Sequence, residues 1–301
     1  MPKFIPLCKG KDLQDIAMSC RPKPNDECYS STKYDGNYIQ IAVDVDKQNV
    51  DFFTSGGKDF YVHQYAMDFL HLVEAAGFVR ITFEAEWIGD TVGYIGDREK
   101  SQGIITTWRT DLKHKTTSRP LKNGKFKIFD YISSTIPFKT RVKNLKAFAK
   151  VSDVMLDSCI DIVQHDYMLF KDSEVYAKEL AKNKFEGAYV KLLNHVHTPG
   201  KRTNLAIKRK DRPTFDLLVI GFTYGDADGK YADIIGSLVC VDSKQRRVSV
   251  GSGLNDADRV KPFEYFNGKV IEIEAERVTD TTYIQPVYKC IRYDKTSLDI
   301  N

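Results

Sequence analysis

The amino-acid sequence predicts an α+β protein of two domains, a larger one over residues 1–211 and a small β-barrel over residues 212–301. Three observations lead there. Helical periodicity is confined to three separated segments before residue 184. The stretches between them are short, β-like and rich in Val, Ile, Tyr and Phe, unlike the repeating βαβ pattern of a parallel sheet. Beyond the charged, proline-containing break Lys210-Asp211-Arg212-Pro213, only strand-like runs recur, separated by turn signals at Gly225 to Gly229, Ser243-Lys244 and Asn267-Gly268.

In chain order, Tyr38 to Val43 reads as a strand. It follows Asp35-Gly36, a dipeptide that is itself a hairpin signal. Residues 63–76 carry Tyr65, Phe69, Leu72 and Val73 at helical spacing, with Gly77 as C-cap. Ile81 to Trp87 alternates, so Glu84 and Glu86 share one strand face. Phe126 to Tyr131 is another short strand, containing Phe129 and Asp130. In the helix predicted at 138–150, Val142, Leu145 and Ala149 form one stripe. Lys139, Lys143, Lys146 and Lys150 form another, which reads as a solvated face. A third helix runs from Ser173 to Asn183. Phe185 to Lys191 then sets Glu186 at the start of an apolar run, with Lys191 at the opposite strand parity. His195 and His197, near Pro199-Gly200, read as loop residues.

With 42% hydrophobic and 29% charged residues, the composition is that of an ordinary soluble chain, long enough at 301 residues for one large core and one small. No apolar run approaches the ~20 residues of a membrane span, and the start has no signal-peptide core. The cytoplasm is therefore the expected location, a host's cytoplasm if the source is viral. Six scattered cysteines without a Cys-x-x-Cys pair argue for reduced thiols and against structural zinc. A net charge of +4 permits polyanion binding without demanding it.

Lys33-Tyr34-Asp35-Gly36 and Ala206-Ile207-Lys208-Arg209-Lys210 carry the chemistry. A lysine attacks phosphorus only when neutral, and with an ordinary pKa of about 10.4 roughly one side chain in 2,500 is neutral at pH 7. Neighbouring ammonium groups or a bound cation favour the neutral form. Lys208 and Lys210 share strand parity, so both point to one face. If that face meets Lys33, the cluster lowers the nucleophile's pKa and neutralises charge developing on the phosphate.

The order of these motifs resembles that of the covalent nucleotidyltransferases, and specifically the ATP-dependent DNA ligases, including small bacteriophage-type enzymes. Lys33-Tyr34-Asp35-Gly36 is similar to the family's nucleotidyl-lysine motif, Glu84-Ala85-Glu86 to its Asp-Gly-Glu, Phe129-Asp130 to its Phe-Asp, and Glu186-Gly187 to its Glu-Gly. The 206–210 run resembles its paired-lysine motif, and Arg292-Tyr293-Asp294-Lys295 its Arg-x-Asp-Lys. Gly200-Lys201-Arg202-Thr203, the stretch from Gly221 to Gly236 and the run from Val250 to Leu254 also resemble DNA ligases. The resemblance covers nearly the whole chain. It departs from the family at Tyr38 and Gly56, where the family carries arginines that handle phosphates; Lys58 or Arg98 is a candidate substitute.

The resemblance implies a nucleotidyltransferase (adenylation) domain followed by an OB-fold domain, acting on nicked double-stranded DNA as a monomer, with ATP and Mg²⁺ or Mn²⁺. Lys33 would form lysyl-AMP, Asp35 would help activate the 3′-hydroxyl, and Lys208 and Lys210 would bind phosphate. Glu186 and Glu86 are the implied metal ligands, with Glu86 also a ribose contact, and Phe129 would stack on adenine. Arg292 and Lys295 would orient the leaving pyrophosphate. Lys113, His114, Lys115 and Arg119 are candidate phosphate contacts. An RNA ligase, a GTP-dependent mRNA guanylyltransferase and a non-catalytic OB protein are the alternatives.

Overall fold

The computed structural model describes residues 4–60, 62–89, 104–105, 124–155, 159–183, 185–210 and 212–300. Arg98 and residues 113–119, candidates above, lie outside them. The chain forms two compact units, Met1–Lys210 and Asp211–Asn301.

The first unit begins with β1 (Lys9–Asp12), β2 (Glu27–Lys33), β3 (Asn37–Asp44), β4 (Asn49–Thr54), α1 (Ala66–Ala75) and β5 (Arg80–Gly89). It continues with β6 (Gly124–Tyr131), α2 (Phe138–Ser152), β7 (Ile160–Ile162) and β8 (Asp166–Leu169). The helix α3 (Ser173–Lys182) and the strands β9 (Gly187–Leu192) and β10 (Arg202–Lys210) complete it. Two five-stranded sheets result, ordered β1-β10-β9-β2-β8 and β4-β3-β5-β6-β7.

Alternation decides which face of each sheet is dry. On β3 and β5, Ile39, Ile41, Val43, Phe83, Ala85 and Trp87 point into one buried cluster with Phe69, Leu72, Val73, Leu145 and Phe148 of α1 and α2. Tyr38, Glu84 and Glu86 fall on the other face, by the period of two. In the first sheet, Cys28, Ala188, Val190 and Ile207 pack with Ala177 of α3, which leaves Lys33, Tyr189, Lys191, Lys208 and Lys210 on the opposite side. Each fully buried Phe or Leu side chain contributes about 1.5–3 kcal/mol by leaving water. Those two helix-backed cores hold the two polar faces in place. The lysines of α2 at 139, 143, 146 and 150 are exposed, as the sequence suggests.

The hairpin reading of Asp35-Gly36 is overturned. β2 and β3 belong to different sheets, so this segment is a crossover. It is fixed by the Gly36 N–H donating to Glu86 Oε2 (2.9 Å). A Cβ at Gly36 would lie 2.7 Å from the Trp87 carbonyl oxygen, which is why a side chain is excluded at this turn.

In the second unit, β11 (Thr214–Tyr224), β12 (Ile235–Val241), β13 (Arg247–Val250), α4 (Asp256–Arg259) and β14 (Val270–Glu274) are followed by β15 (Arg277–Val278), β16 (Tyr283–Ile284) and β17 (Val287–Ile291). Five of these strands form one antiparallel sheet, β13-β12-β11-β14-β17, around a core of Leu217, Leu238, Phe266, Ile271 and Ile273. The small β-barrel expected from the sequence is partly open among the described residues. The sheet's two edges meet at a single bridge, Ser252 to Val287, instead of a continuous ladder. That geometry is compatible with an OB-like fold.

Among the described residues no helix is long and apolar enough to cross a membrane. All six cysteines are unpaired.

Candidate active site

Strand register assembles the site. Across β2, β9 and β10, Lys33 pairs with Gly187 and Gly187 pairs with Lys210, while Ser31, Tyr189 and Lys208 form the adjacent row. With neighbouring strands about 4.8 Å apart, residues from positions 33, 187 and 210 are forced to one spot. Glu186 stands immediately before β9 and is ion-paired to both Lys33 and Lys210 (Nζ of Lys210 to Oε1, 2.5 Å). Gly187 permits this placement. It has φ of +139°, and a Cβ there would run into the Arg209 carbonyl oxygen. The resulting bend lets Glu186 and Lys191 line one cavity despite their opposite parity.

That cavity, about 680 Å³, is lined by Lys33, Asp35, Glu86, Phe129, Glu186, Lys208 and Lys210, all of them site candidates from the sequence. Arg209, of opposite parity to the paired lysines, instead stacks its guanidinium 4.5 Å from the Phe170 ring centre. Burial, partly countered by Asp12 and reinforced by Lys33 and Lys210, holds Lys208 below the usual lysine pKa. Burial pushes the Glu186 carboxyl up, but the ammonium groups of Lys33 and Lys210 prevail and set it below the usual range. Glu86 is different: burial dominates over Lys33 and the Gly36 N–H, and raises it to about 7. The sequence argument surrounds Lys33 with cations alone, whereas the structure sets the Glu186 carboxylate directly against it.

Tyr38 lines the cavity where the family arginine would stand, and its hydroxyl donates to Glu84 Oε1 (2.9 Å). Gly56 lies in the turn after β4, where a Cβ would meet nothing within 4 Å. Ala85, in place of the family glycine, is fully buried in the core.

Behind Phe129 lies a polar network that sequence reasoning missed. Arg141 of α2, 0% exposed, donates from Nε to Asp130 Oδ1 (2.8 Å) and from Nη2 to Asp130 Oδ2 (2.9 Å). It also bonds the backbone oxygens of Ile136 and His195. Lys191 makes a second ion pair to Asp130 and lies 5.4 Å from the Phe129 ring centre. Burial disfavours the Asp130 charge, but Lys191 and Arg141 outweigh it and hold that carboxyl far below the ordinary range. The only prior signal was an arginine among the lysines of a helix that looked solvated.

A family model described as the DNA ligase OB-like domain matches residues 227–292. DNA ligase 2 of Methanosarcina mazei is 29% identical over 172 residues, which cover 53% of this chain and 30% of that protein. The DNA ligase of Methanoculleus marisnigri is 34% identical over 110 residues, covering 35% of this chain and 20% of that protein. Among solved structures, a Lig E DNA ligase superposes with a TM-score of 0.63 at 16% identity, covering 97% of this chain and 100% of that one. The ATP-dependent DNA ligase of bacteriophage T7, in complex with ATP, superposes with a TM-score of 0.54 at 14% identity, covering 95% and 98%. The chain is similar to DNA ligases in part of its sequence and shares their fold over nearly its whole length.

The structural likenesses, at 14–16% identity, show the fold alone. The chain's matches span under a third of the length of the curated relatives. In the second unit, Arg292 and Lys295 of the Arg-x-Asp-Lys segment follow β17 and are held by carboxylates of that same unit. Arg292 donates to Asp216 (3.2 Å), Glu272 (2.9 Å) and Asp294 (2.7 Å), and Lys295 to Asp216 (2.6 Å).

Two carboxyl groups suit a hard divalent cation, Glu186 and Glu86, because both offer oxygen donors on the cavity wall beside the lysine cluster. Glu84, Asp130 and His197 also bring ligand atoms within 4.8 Å of one another. There, Arg141 and Lys191 already occupy Asp130 and balance the local acids. A divalent ion would add uncompensated positive charge to a buried space.

Proposed function

We propose that this cavity carries out ATP-dependent sealing of 5′-phosphate/3′-hydroxyl nicks in duplex DNA, acting as a monomer. One observation supports it above the rest: strand register delivers Lys33, Lys210 and Glu186 to one point, with Lys208 alongside. Lys33 Nζ attacks the α-phosphorus of ATP. The new N–P bond forms as the bond to pyrophosphate breaks, and the amine sheds a proton. Lys208 and Lys210 neutralise charge on the non-bridging oxygens, and Phe129 provides an aromatic face for the base. Glu186 and Glu86 are the residues that would hold Mg²⁺ or Mn²⁺, which when bound would supply Lewis-acid charge neutralisation at the phosphate. AMP then passes from Lys33 to the 5′-phosphate of the nick. The 3′-hydroxyl displaces it, and Asp35 assists that hydroxyl's deprotonation.

Incubation with α-labelled ATP tests the reading. Wild-type protein should acquire one AMP on Lys33, through an acid-labile and alkali-stable N–P bond, and release pyrophosphate. Lys33→Ala should lose both the label and nick sealing; a Lys33→Ala protein that still seals nicked DNA from ATP overturns the proposal. Sealing of DNA/DNA, RNA/DNA and RNA/RNA nicks in parallel separates a DNA ligase from an RNA ligase.

A further inference from the structure

The ladder between β2 and β9 ends at the rung Lys33 to Gly187. Tyr34 and Glu186 stand just past it, where that ladder's backbone pairing holds neither residue. Glu186 must nevertheless be placed closely, because its carboxylate pairs with Lys33 and Lys210 at once. Forming an N–P bond at Lys33 removes that lysine's charge and with it one of the two ion pairs. Ion pairing therefore holds Glu186 less firmly once reaction has begun.

Aromatic contacts supply what the ladder does not. The Tyr34 and Phe185 rings meet edge to face, with centres 5.8 Å apart and planes at 86°, a directional arrangement. These residues directly follow Lys33 and directly precede Glu186, so a single contact restrains both neighbours. Each ring is anchored from its own side. The Lys127 ammonium of β6 lies 5.2 Å from the Tyr34 ring centre and is itself ion-paired to Asp161 of β7. The crossover is tied to the same sheet again at Gly36, whose N–H donates to Glu86 Oε2, and Glu86 is the cross-strand partner of Lys127. Phe185, for its part, donates its backbone N–H to the Leu180 carbonyl oxygen of α3 (3.1 Å). Tyr34 thus takes its position from the second sheet and Phe185 from the helix behind the first. Phe185 and Lys127 were not site candidates from the sequence.

We propose that the Tyr34–Phe185 contact positions Glu186 between Lys33 and Lys210 during lysyl-AMP formation, with Lys127 steadying the tyrosine ring. These are positioning residues: they act through Glu186. The proposal rests on the lysyl-AMP reading and adds to it the means by which the carboxylate is kept in register. A catalytic group displaced by about 1 Å can lose on the order of 10²-fold in rate, so the effect of losing the contact falls on the chemical step.

The test is single-turnover lysyl-AMP formation over a range of ATP concentrations, with melting temperatures measured alongside. Tyr34→Leu and Phe185→Leu keep apolar bulk and remove the ring contact. Each should lower the maximal rate by about tenfold or more, while the half-saturating ATP concentration moves less than about threefold. Tyr34→Phe keeps the ring and should stay within about threefold of the wild-type rate. Lys127→Met should fall between these. Combining Tyr34→Leu with Phe185→Leu should slow the reaction no more than about threefold beyond either alone, because one contact is lost only once. Folded leucine variants that react at the wild-type rate overturn the proposal. So does a loss confined to ATP affinity, or a combined loss equal to the product of the single losses. Should Tyr34→Leu fail to fold, Phe185→Leu against Tyr34→Phe makes the same comparison. Failure of the lysyl-AMP reading looks different: wild-type protein then forms no adduct.

Discussion

Glu86 is held where ionisation is costly, and this has a measurable consequence. Its folded-state pKa of about 7 stands above the ordinary carboxyl value because burial outweighs the help of Lys33 and the Gly36 N–H. A raised folded value means that the native state binds the proton more tightly than the unfolded chain does. The associated stability is fully present below about pH 4.5 and is lost as pH rises through about 7. Glu86→Gln should therefore gain stability relative to wild type between those limits, by up to about 3 kcal/mol at pH 7.5; denaturant melts at pH 4.5, 6 and 7.5 measure it. A wild-type minus variant difference that does not change with pH removes the burial argument. Asp130 shows the opposite sign, since Lys191 and Arg141 depress it. Arg141→Met should cost about 3–5 kcal/mol near neutral pH by stranding buried charge. The residue types of the lysine cluster were legible in the sequence because strand parity alone places Lys208 and Lys210 on one face. Arg141 was not, because its importance comes from burial against distant strands, which a helical stripe does not report.

At the scale of elements, the site depends on where strands end and bend more than on their propensity. Lys33 closes β2, Glu186 precedes β9 and Lys210 closes β10, so three strand ends meet at one point. The alternation in β5 and the helices α1, α2 and α3 could be read directly, since each displays a strong period. The crossover between β2 and β3 could not, because Asp-Gly also favours hairpins and only sheet membership separates the two. The reach of Glu186 was also hidden: parity sets it on the wrong face, and the positive φ of Gly187 corrects that. Gly187→Ala should thus act on chemistry as well as on folding. Besides a loss of several kcal/mol from backbone strain and the clash with Arg209, the folded fraction should form lysyl-AMP at least tenfold more slowly, because Glu186 leaves its place between Lys33 and Lys210. Labelling per folded molecule, with the fraction taken from near-ultraviolet circular dichroism, checks this. Normal labelling by the folded variant contradicts the role given to the bend.

For the whole molecule, the two units separate two kinds of work under the proposed function. The first, Met1–Lys210, contains the complete lysine, carboxylate and aromatic lining. The second carries Arg292 and Lys295, each tied up by carboxylates of its own unit. For either cation to serve a phosphate, it must exchange a carboxylate for it, and the two acceptors are chemically similar enough for that exchange to be reversible. Pyrophosphate departs only in the first step of the reaction, whereas transfer of AMP and closure of the nick involve no β- or γ-phosphate. The requirement for Arg292 should be confined accordingly. Arg292→Ala should lower lysyl-AMP formation by on the order of 10²–10³-fold, the usual cost of removing one donor from a developing charge. It should still seal a nick supplied with a pre-adenylylated 5′ end within about threefold of wild type. The variant's melting temperature, measured alongside, shows whether releasing Asp216, Glu272 and Asp294 from their common partner has unfolded the second unit. With that unit intact, equal loss in both assays would mean that Arg292 contributes to DNA engagement throughout the reaction, and its assignment to the leaving group would fall.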